Sequence, residues 1–260
     1  MDAIKVKDIM ESIEKVAPRA LAEAYDNVGL LVGDSQHQVK KVIVGLEVTD
    51  ALIEEAISKG CELIVVHHPL IFSPLKSITQ DDSISRKVIR LIKEDISLYV
   101  AHTNLDKADG GLNDYLCKRL GLKPNKKLNS EEMELIRICD IEPQSFSQLI
   151  IQIRDHLNLK NIRYVGSIDA SVERIGVCSG SGMSLFDTAV ENGIDAYITG
   201  DVKYHDAVKA MDFGIPVIDA GHFGTEIICR QLFENILTQA FKKNIKVYQH
   251  EDFFDPIRMV

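Results

Sequence analysis

The chain has 260 residues, 45% hydrophobic and 27% charged, an ordinary globular composition with enough chain for one large domain or two modest ones, each able to bury a core. Thirty-nine acidic against 30 basic residues give a formal charge of −9, which disfavours broad electrostatic capture of nucleic acid, a task that needs a basic stripe, but leaves room for a local basic channel. No apolar run approaches the roughly 18–20 residues of a membrane span, and the five cysteines (Cys61, Cys117, Cys139, Cys178, Cys229) are odd in number, widely spaced and without a CxxC pair, so they read as buried thiols rather than a disulfide framework or a zinc site.

The first 18 residues, MDAIKVKDIMESIEKVAP, alternate charged and apolar residues and lack the apolar centre of a signal peptide. They predict an amphipathic helix and a cytoplasmic protein. The stretch Ala24 to Leu30 precedes a hydrophobic segment, and its Asp26 and Asn27 read as turn formers or as residues facing a site. A buried strand is expected over 40–48, a helix over 50–60 stopped by Gly60, and a strand over 61–68 ended by Pro69. A helix over 83–95, a strand over 96–103 and a helix over 110–121 follow. Residues 125–173 fit the alternation less well and contain EEMELIRICD and FSQLIIQIRDHLNL, read as a strand and a helix.

The second half repeats the order. A strand and glycine-rich turn lie at 174–182, a helix at 184–193, a strand at 194–201, a helix at 205–214, a strand at 215–222 and a helix from about 224. Ala56 to Gly60 aligns with Ala189 to Gly193, CELIVVHH with IDAYITGD, and ISLYVAHT with IPVIDAGH. This predicts an internal duplication, with chance likeness between strand–helix units as the competing explanation. The expected fold class is α/β, two similar strand–helix halves over 1–125 and 126–260, each a mostly parallel or mixed sheet flanked by helices. The C-terminal helix is expected to pack back on the first half, and a metal site to lie between the halves.

Three strand ends carry the chemistry. His67 and His68 finish a buried apolar strand, and both serve one site only if the strand stops there, because neighbouring strand residues face opposite ways. Pro69 holds His68 extended, and the edge where parallel strands end is where such sheets bind ligands. Asp106 follows the next strand and reads as a ligand or a turn carboxylate. His102 reads as a ligand, as a residue that orients one from behind, or as a hydrogen-bonded interior histidine; the second is favoured. His222 and Glu226 follow the last strand at i, i+4 spacing, which puts both on one face of a helix.

Five ligands exceed what one tetrahedral ion needs and suit two ions sharing a bridging carboxylate, with Glu226 as the bridge. Asp201 and His205, in the stretch Thr199 to His205 that falls at the duplicate position of His67 and His68, are candidates for substrate contact or for general acid and base, with helix capping as the alternative. GVCSGSG lacks the Walker lysine and does not match GxGxxG, although a GSG turn feeding a helix can hold an anion. His37, His156 and His250 read as solvated.

The stretches YDNVGLLVGD, IVVHHPLIF, AHTNLDKADGGLND, YITGDVKYHDA and DAGHFGTE, in this order from about residue 25 to 226, resemble the GTP cyclohydrolase 1 type 2 family, the NGG1-interacting-factor-3-like dinuclear metal proteins. The resemblance implies two α/β halves with a metal pair between them, His67, His68, Asp106, His222 and Glu226 as ligands, and a ring-shaped homohexamer. Glu47 stands where an aspartate is frequent and is given no role. The expectation is a metal-dependent hydrolase of a small polar molecule, a nucleotide such as GTP being the candidate the resemblance implies. It would hold two divalent ions from among Zn, Fe, Mn, Co and Ni. The alternative is a non-catalytic metal-binding or regulatory scaffold acting through protein partners. A ring-shaped nucleic-acid handler would need basic residues on an inner channel.

Overall fold

The computed structural model describes residues 3–125 and 135–258. In chain order the elements are α1 (Val6–Glu14), β1 (Gly29–Val32), β2 (Lys41–Gly45), α2 (Asp50–Lys59), β3 (Leu63–Val66), α3 (Ser83–Lys93), β4 (Ser97–Val100), α4 (Thr103–Lys107) and α5 (Leu112–Arg119). After these come β5 (Arg137–Ser145), α6 (Phe146–His156), β6 (Arg163–Val165), β7 (Ser171–Val177), α7 (Phe186–Glu191), β8 (Ala196–Thr199), α8 (Tyr204–Phe213), β9 (Val217–Asp219), α9 (His222–Glu226), α10 (Cys229–Phe241) and β10 (Lys246–Gln249).

Two compact units result, one of Met1–Asp109 with Cys229–Val260 and one of Gly110–Ile228. The first is built on a sheet of order β1-β4-β3-β2-β10, parallel except for β1, which runs antiparallel to β4. The LIVV run of β3 has no exposed residue because it is the central strand with both faces covered, which is why it reads as a continuous apolar run. Ile43, Leu52, Ile53, Ala56, Ile64, Val88, Leu91 and Leu98 pack into one core, joining α2 and α3 to the sheet. Caps explain where these helices start: Thr49 Oγ1 accepts from Leu52 N–H at 3.0 Å and Asp82 Oδ2 from Ser85 N–H at 2.7 Å.

The second unit has the sheet order β5-β7-β8-β9-β6, with β7, β8 and β9 parallel and both edge strands antiparallel. Leu116, Cys117, Phe146, Leu149, Ile153, Ile175 and Ile198 form the core on one side, and Phe186, Ala189, Tyr197 and Ala210 pack in a separate cluster. In α6, Ser145 and Gln148 form a reciprocal capping box, Ser145 Oγ accepting at 3.3 Å and Gln148 Oε1 at 3.1 Å. Within each unit three consecutive parallel strands lie side by side with the middle one central, so their C-terminal ends line one edge. Gly45, Val66 and Val100 are in register at that edge of the first unit, and Val177, Ile198 and Ile218 near it in the second.

Among the described residues no helix is long and apolar enough to cross a membrane. All five cysteines are buried and free, and burial, reinforced by Glu62, pushes the Cys61 thiol up to about 11. The structure differs from the sequence reading in several places. Short strands β1, β6 and β10 carry too few residues for a period to show. The helix expected from about 224 is two helices, α9 and α10. The strand expected over 131–140 begins among residues outside those described, and β5 runs from Arg137.

His250 is not solvated. It has no exposed surface; its N–H donates to Val44 O at 2.9 Å, its Nδ1 meets the Glu55 carboxylate, and an Arg230 N–H donates to its carbonyl. A polar-looking C-terminal stretch hid a strand and its buried end. Burial works to raise the Glu55 pKa, but hydrogen bonds from Lys59 (2.6 Å) and His250 outweigh it and hold the carboxyl below its ordinary value. A depressed carboxylate contributes stability above its unfolded pKa of about 4.3, lost as pH falls through the lower folded value. Glu55→Gln is expected to cost about 1–3 kcal/mol at pH 7. Denaturant melts of the variant and the parent should converge as the pH falls through the depressed folded-state value; a gap that stays constant with pH would refute this role.

Candidate metal centre

At the C-terminal edge of the first unit's sheet, chain continuation past β3 brings His67 and His68 out of the ladder. His67 is wholly buried, and its Nδ1 lies 2.9 Å from Ala101 O, just beyond β4. His68 turns the other way, its Nδ1 2.6 Å from Glu47 Oε1, just beyond β2. The flanking strand ends therefore fix the two rings, whose centroids stand 5.0 Å apart. His102 follows β4, its ring centroid 5.1 Å from that of His67 and 5.5 Å from that of His68, with Nδ1 2.9 Å from Asp26 Oδ1. His67, His68 and His102 each offer a donor nitrogen, and these nitrogens all lie within 4.8 Å of one another. Asp106, in the short helix α4, places Oδ1 3.5 Å from His67 Nε2.

Asp26 anchors His102 in this group. Its side chain has no exposed surface, yet it accepts from His102 Nδ1, from Thr103 N–H and Oγ1–H, and from Asn27 N–H. Burial alone would raise its pKa; the hydrogen bonds and the neighbouring imidazole overcome that and hold it far below the ordinary carboxylate range. Asn27 Nδ2 donates to Ile71 O at 2.6 Å, tying the same loop to the chain beyond Pro69.

In the second unit, α9 starts where β9 ends and carries both His222 and Glu226. His222 Nε2 lies 2.9 Å from Glu226 Oε2, and His222 Nδ1 is 2.7 Å from Asp201 Oδ2. Asp201 follows β8 in a left-handed backbone conformation, φ +54°, which aspartate tolerates better than most residues. The GSG turn after β7 is packed against this pair. Gly180 has φ +61°, its N–H donates to Thr225 Oγ1 at 3.0 Å, and a Cβ there would stand 2.2 Å from Glu226 Oε1 and 3.3 Å from His222 Nε2. A Cβ on Gly200 would meet Gly221 C and His222 N at 2.6 Å.

The structure thus brings His67, His68, His102 and Asp106 together in one unit, and Asp201, His222 and Glu226 in the other. His205 is exposed in the first turn of α8 beside the ring of Tyr204, and among the described residues no hydrogen bond or ion pair joins it to His222 or Glu226. Glu47, without a role on sequence grounds, stands just past the end of the strand beside β3 and meets His68. The GSG turn is more than a weak anion loop, because its Gly180 lets backbone approach a carboxylate.

The donor set fits a divalent metal. Every histidine in the two clusters has Nδ1 on an oxygen acceptor, which fixes the Nδ1–H tautomer and makes Nε2 the ligand atom; metal-binding histidines are held in this way. Carboxylate oxygens stand beside two of those Nε2 atoms, and mixed nitrogen and oxygen donors suit zinc and its first-row neighbours.

Residues 4–253 match the family model described as Duf34/NIF3 (NGG1p interacting factor 3). The chain is 39% identical over 228 residues to a Clostridium perfringens protein named GTP cyclohydrolase 1 type 2 homolog, covering 86% of this chain and 87% of that one. It is 34% identical over 256 residues to a Lactococcus lactis protein of the same name, covering 97% and 98%. Among solved structures, a Staphylococcus aureus protein matches over the full length of both chains with TM-score 0.89 and 28% identity. Reduced HcgD from Methanocaldococcus jannaschii matches with TM-score 0.84 and 32% identity over 97% of this chain and 100% of that one.

Gly180→Ala forces either the turn or α9 to move and adds left-handed strain. It is expected to lower stability by about 1–3 kcal/mol in denaturant melts. Ser181→Ala, one residue along, should stay within about 0.5 kcal/mol of the parent, and equal losses at both positions would contradict the close-approach argument.

Proposed function

Because the chain belongs to the Duf34/NIF3 family, we propose that it binds two divalent cations and uses them to hydrolyse a small polar substrate, with His67, His68, Asp106, His222 and Glu226 as ligands. The observation that carries the reading is the anchoring of Nδ1 on His67, His68 and His222. Structural histidines need no common tautomer; ligands presenting Nε2 do.

When bound, the cations would supply Lewis acidity and bring the pKa of a bound water down to about 7. The chain's own residues do the rest. Glu226, 4% exposed and set one helical turn from His222, would supply a carboxylate to hold the cations. Glu47 and Asp201 hold imidazoles in place. Asp201, read from sequence with His205 as acid or base, has one oxygen committed to His222, so its part is positioning. His205, open to solvent, is the residue assigned to exchange protons. The relatives' printed name makes GTP the first substrate to assay, followed by other nucleotides and phosphoesters.

Glu226→Gln is expected to reduce bound metal by about one ion per chain, read by elemental analysis of gently purified protein, and to abolish hydrolysis; full occupancy in that variant would remove Glu226 from the bridging role. In the parent protein, turnover should vanish on chelation and return with added Zn, Mn, Co, Ni or Fe. Inactivity across the panel with metal fully bound would favour a metal-binding scaffold over a hydrolase.

A further inference from the structure

We infer that Tyr25 and Phe72 form a stacking platform for a planar heteroaromatic ring, which makes a mononucleotide, rather than a phosphoester without a base, the ligand that this face of the first unit selects. This rests on the metal-binding reading above and adds to it the residues that would choose the substrate.

Single exposed apolar side chains are ordinary, but an exposed aromatic pair in contact beside a cluster of polar donors has the make-up of a ligand face. Tyr25 is 65% exposed and Phe72 49%, and their ring centroids stand 6.3 Å apart with the planes tilted by 52°. The tilt leaves a corner in which a planar ring can lie on the face of one side chain and turn its edge to the other, both favourable aromatic arrangements.

The segments that build the histidine cluster carry both rings. Tyr25 precedes Asp26, the anchor of His102, and Phe72 lies four residues beyond His68. The hydrogen bond from Asn27 Nδ2 to Ile71 O, at 2.6 Å, ties these two segments together. Partial burial, Glu23 and Asp26 push the Tyr25 phenol above its ordinary value, and Asp106 acts on it in the same direction, so the ring lies within electrostatic reach of a residue assigned to the metal. The loop under Tyr25 is braced on both sides. Glu23 N–H donates to Thr103 Oγ1 at 3.0 Å, Asp26 N–H donates to Glu23 O at 2.9 Å, and Lys107 Nζ meets the Glu23 carboxylate at 2.8 Å. A ring held in water by a braced loop loses little freedom when a ligand settles on it.

The ligand class follows from what the two parts of the site can hold. Every nucleobase offers a π-face to an aromatic side chain, and a phosphate offers oxygens to divalent cations. The formal charge of −9 opposes a long polyanion, which favours a single nucleotide over a nucleic-acid strand.

The test uses the metal-loaded full chain, with guanosine and adenosine monophosphates as probes and ribose phosphate, the same tail without a base, as the control. Tyr25→Ala and Phe72→Ala should each weaken nucleotide binding roughly 5- to 100-fold in calorimetry and leave ribose phosphate binding and metal content unchanged. Tyr25→Phe and Phe72→Tyr, which keep the ring, should bind the nucleotides as the parent does. Tyr25→Trp in a chain without tryptophan supplies a spectroscopic reading: its indole emission should be quenched saturably by the nucleotides and not by ribose phosphate. Unchanged nucleotide affinity in both alanine variants, or equal losses for nucleotide and ribose phosphate, would overturn the platform while leaving the metal reading intact. So would a metal-loaded parent that binds neither nucleotide, or alanine variants that keep nucleotide binding and change only their sedimentation, which would assign the pair to a contact between copies of the chain. A parent protein that holds no metal in elemental analysis would instead overturn the metal-binding reading, and this inference with it.

Discussion

The hydrogen bonds on the Nδ1 atoms of four histidines decide what these sheet edges can do. An imidazole free to flip presents either nitrogen and either tautomer. His67, His68, His102 and His222 have no such choice, because a carbonyl or a carboxylate occupies one side of each ring. The anchors are placed by β-sheet register: Ala101 and Glu47 stand beside His67 and His68 because Gly45, Val66 and Val100 are paired across neighbouring strands. Packing of the apolar strands thus sets imidazole orientation, and imidazole orientation sets the donor atom.

The two units solve the same problem with different residues. Each ends a trio of parallel strands at one edge and follows the third strand with a five-residue helix, Thr103–Lys107 in one and His222–Glu226 in the other. In the first unit the edge is rich in nitrogen donors. In the second a single histidine is paired with a carboxylate, and glycines at 180 and 200 let the backbones of adjoining turns close in around them. That division of donors is a chemical difference laid over a shared strand order, which is what a duplicated unit that has diverged would leave.

Much of this was legible in the sequence, for a definable reason. Strands such as LIVV and AYIT lie in sheet centres, so burial on both faces writes itself as unbroken apolar runs, and the polar residues that end those runs stand out. The helix expected over 110–121 forms over Leu112–Arg119, but a local pattern does not say which sheet it covers; Leu116 and Cys117 join the core of the second unit. The anchors were hidden by distance along the chain. Glu47 meets a residue 21 positions away, Asp26 one 76 positions away, and Glu55 one 195 positions away. No local pattern records such pairs. Edge strands β1, β6 and β10 were hidden by brevity, and His250 with them.

The strand order of the first unit also bears on how the chain is made. β10 pairs with β2, yet Lys246 lies 205 positions after Lys41 at the start of that ladder, and the whole of the second unit is synthesised in between. Until the ribosome has delivered the last strand, the KVIVG segment of β2 keeps one row of backbone donors and acceptors open, an apolar edge of the kind that recruits foreign strands. The second unit, by contrast, is continuous and can close its sheet while translation proceeds. A chain truncated between residues 229 and 245 would therefore be expected to fail through aggregation of its first unit, with the second unit intact.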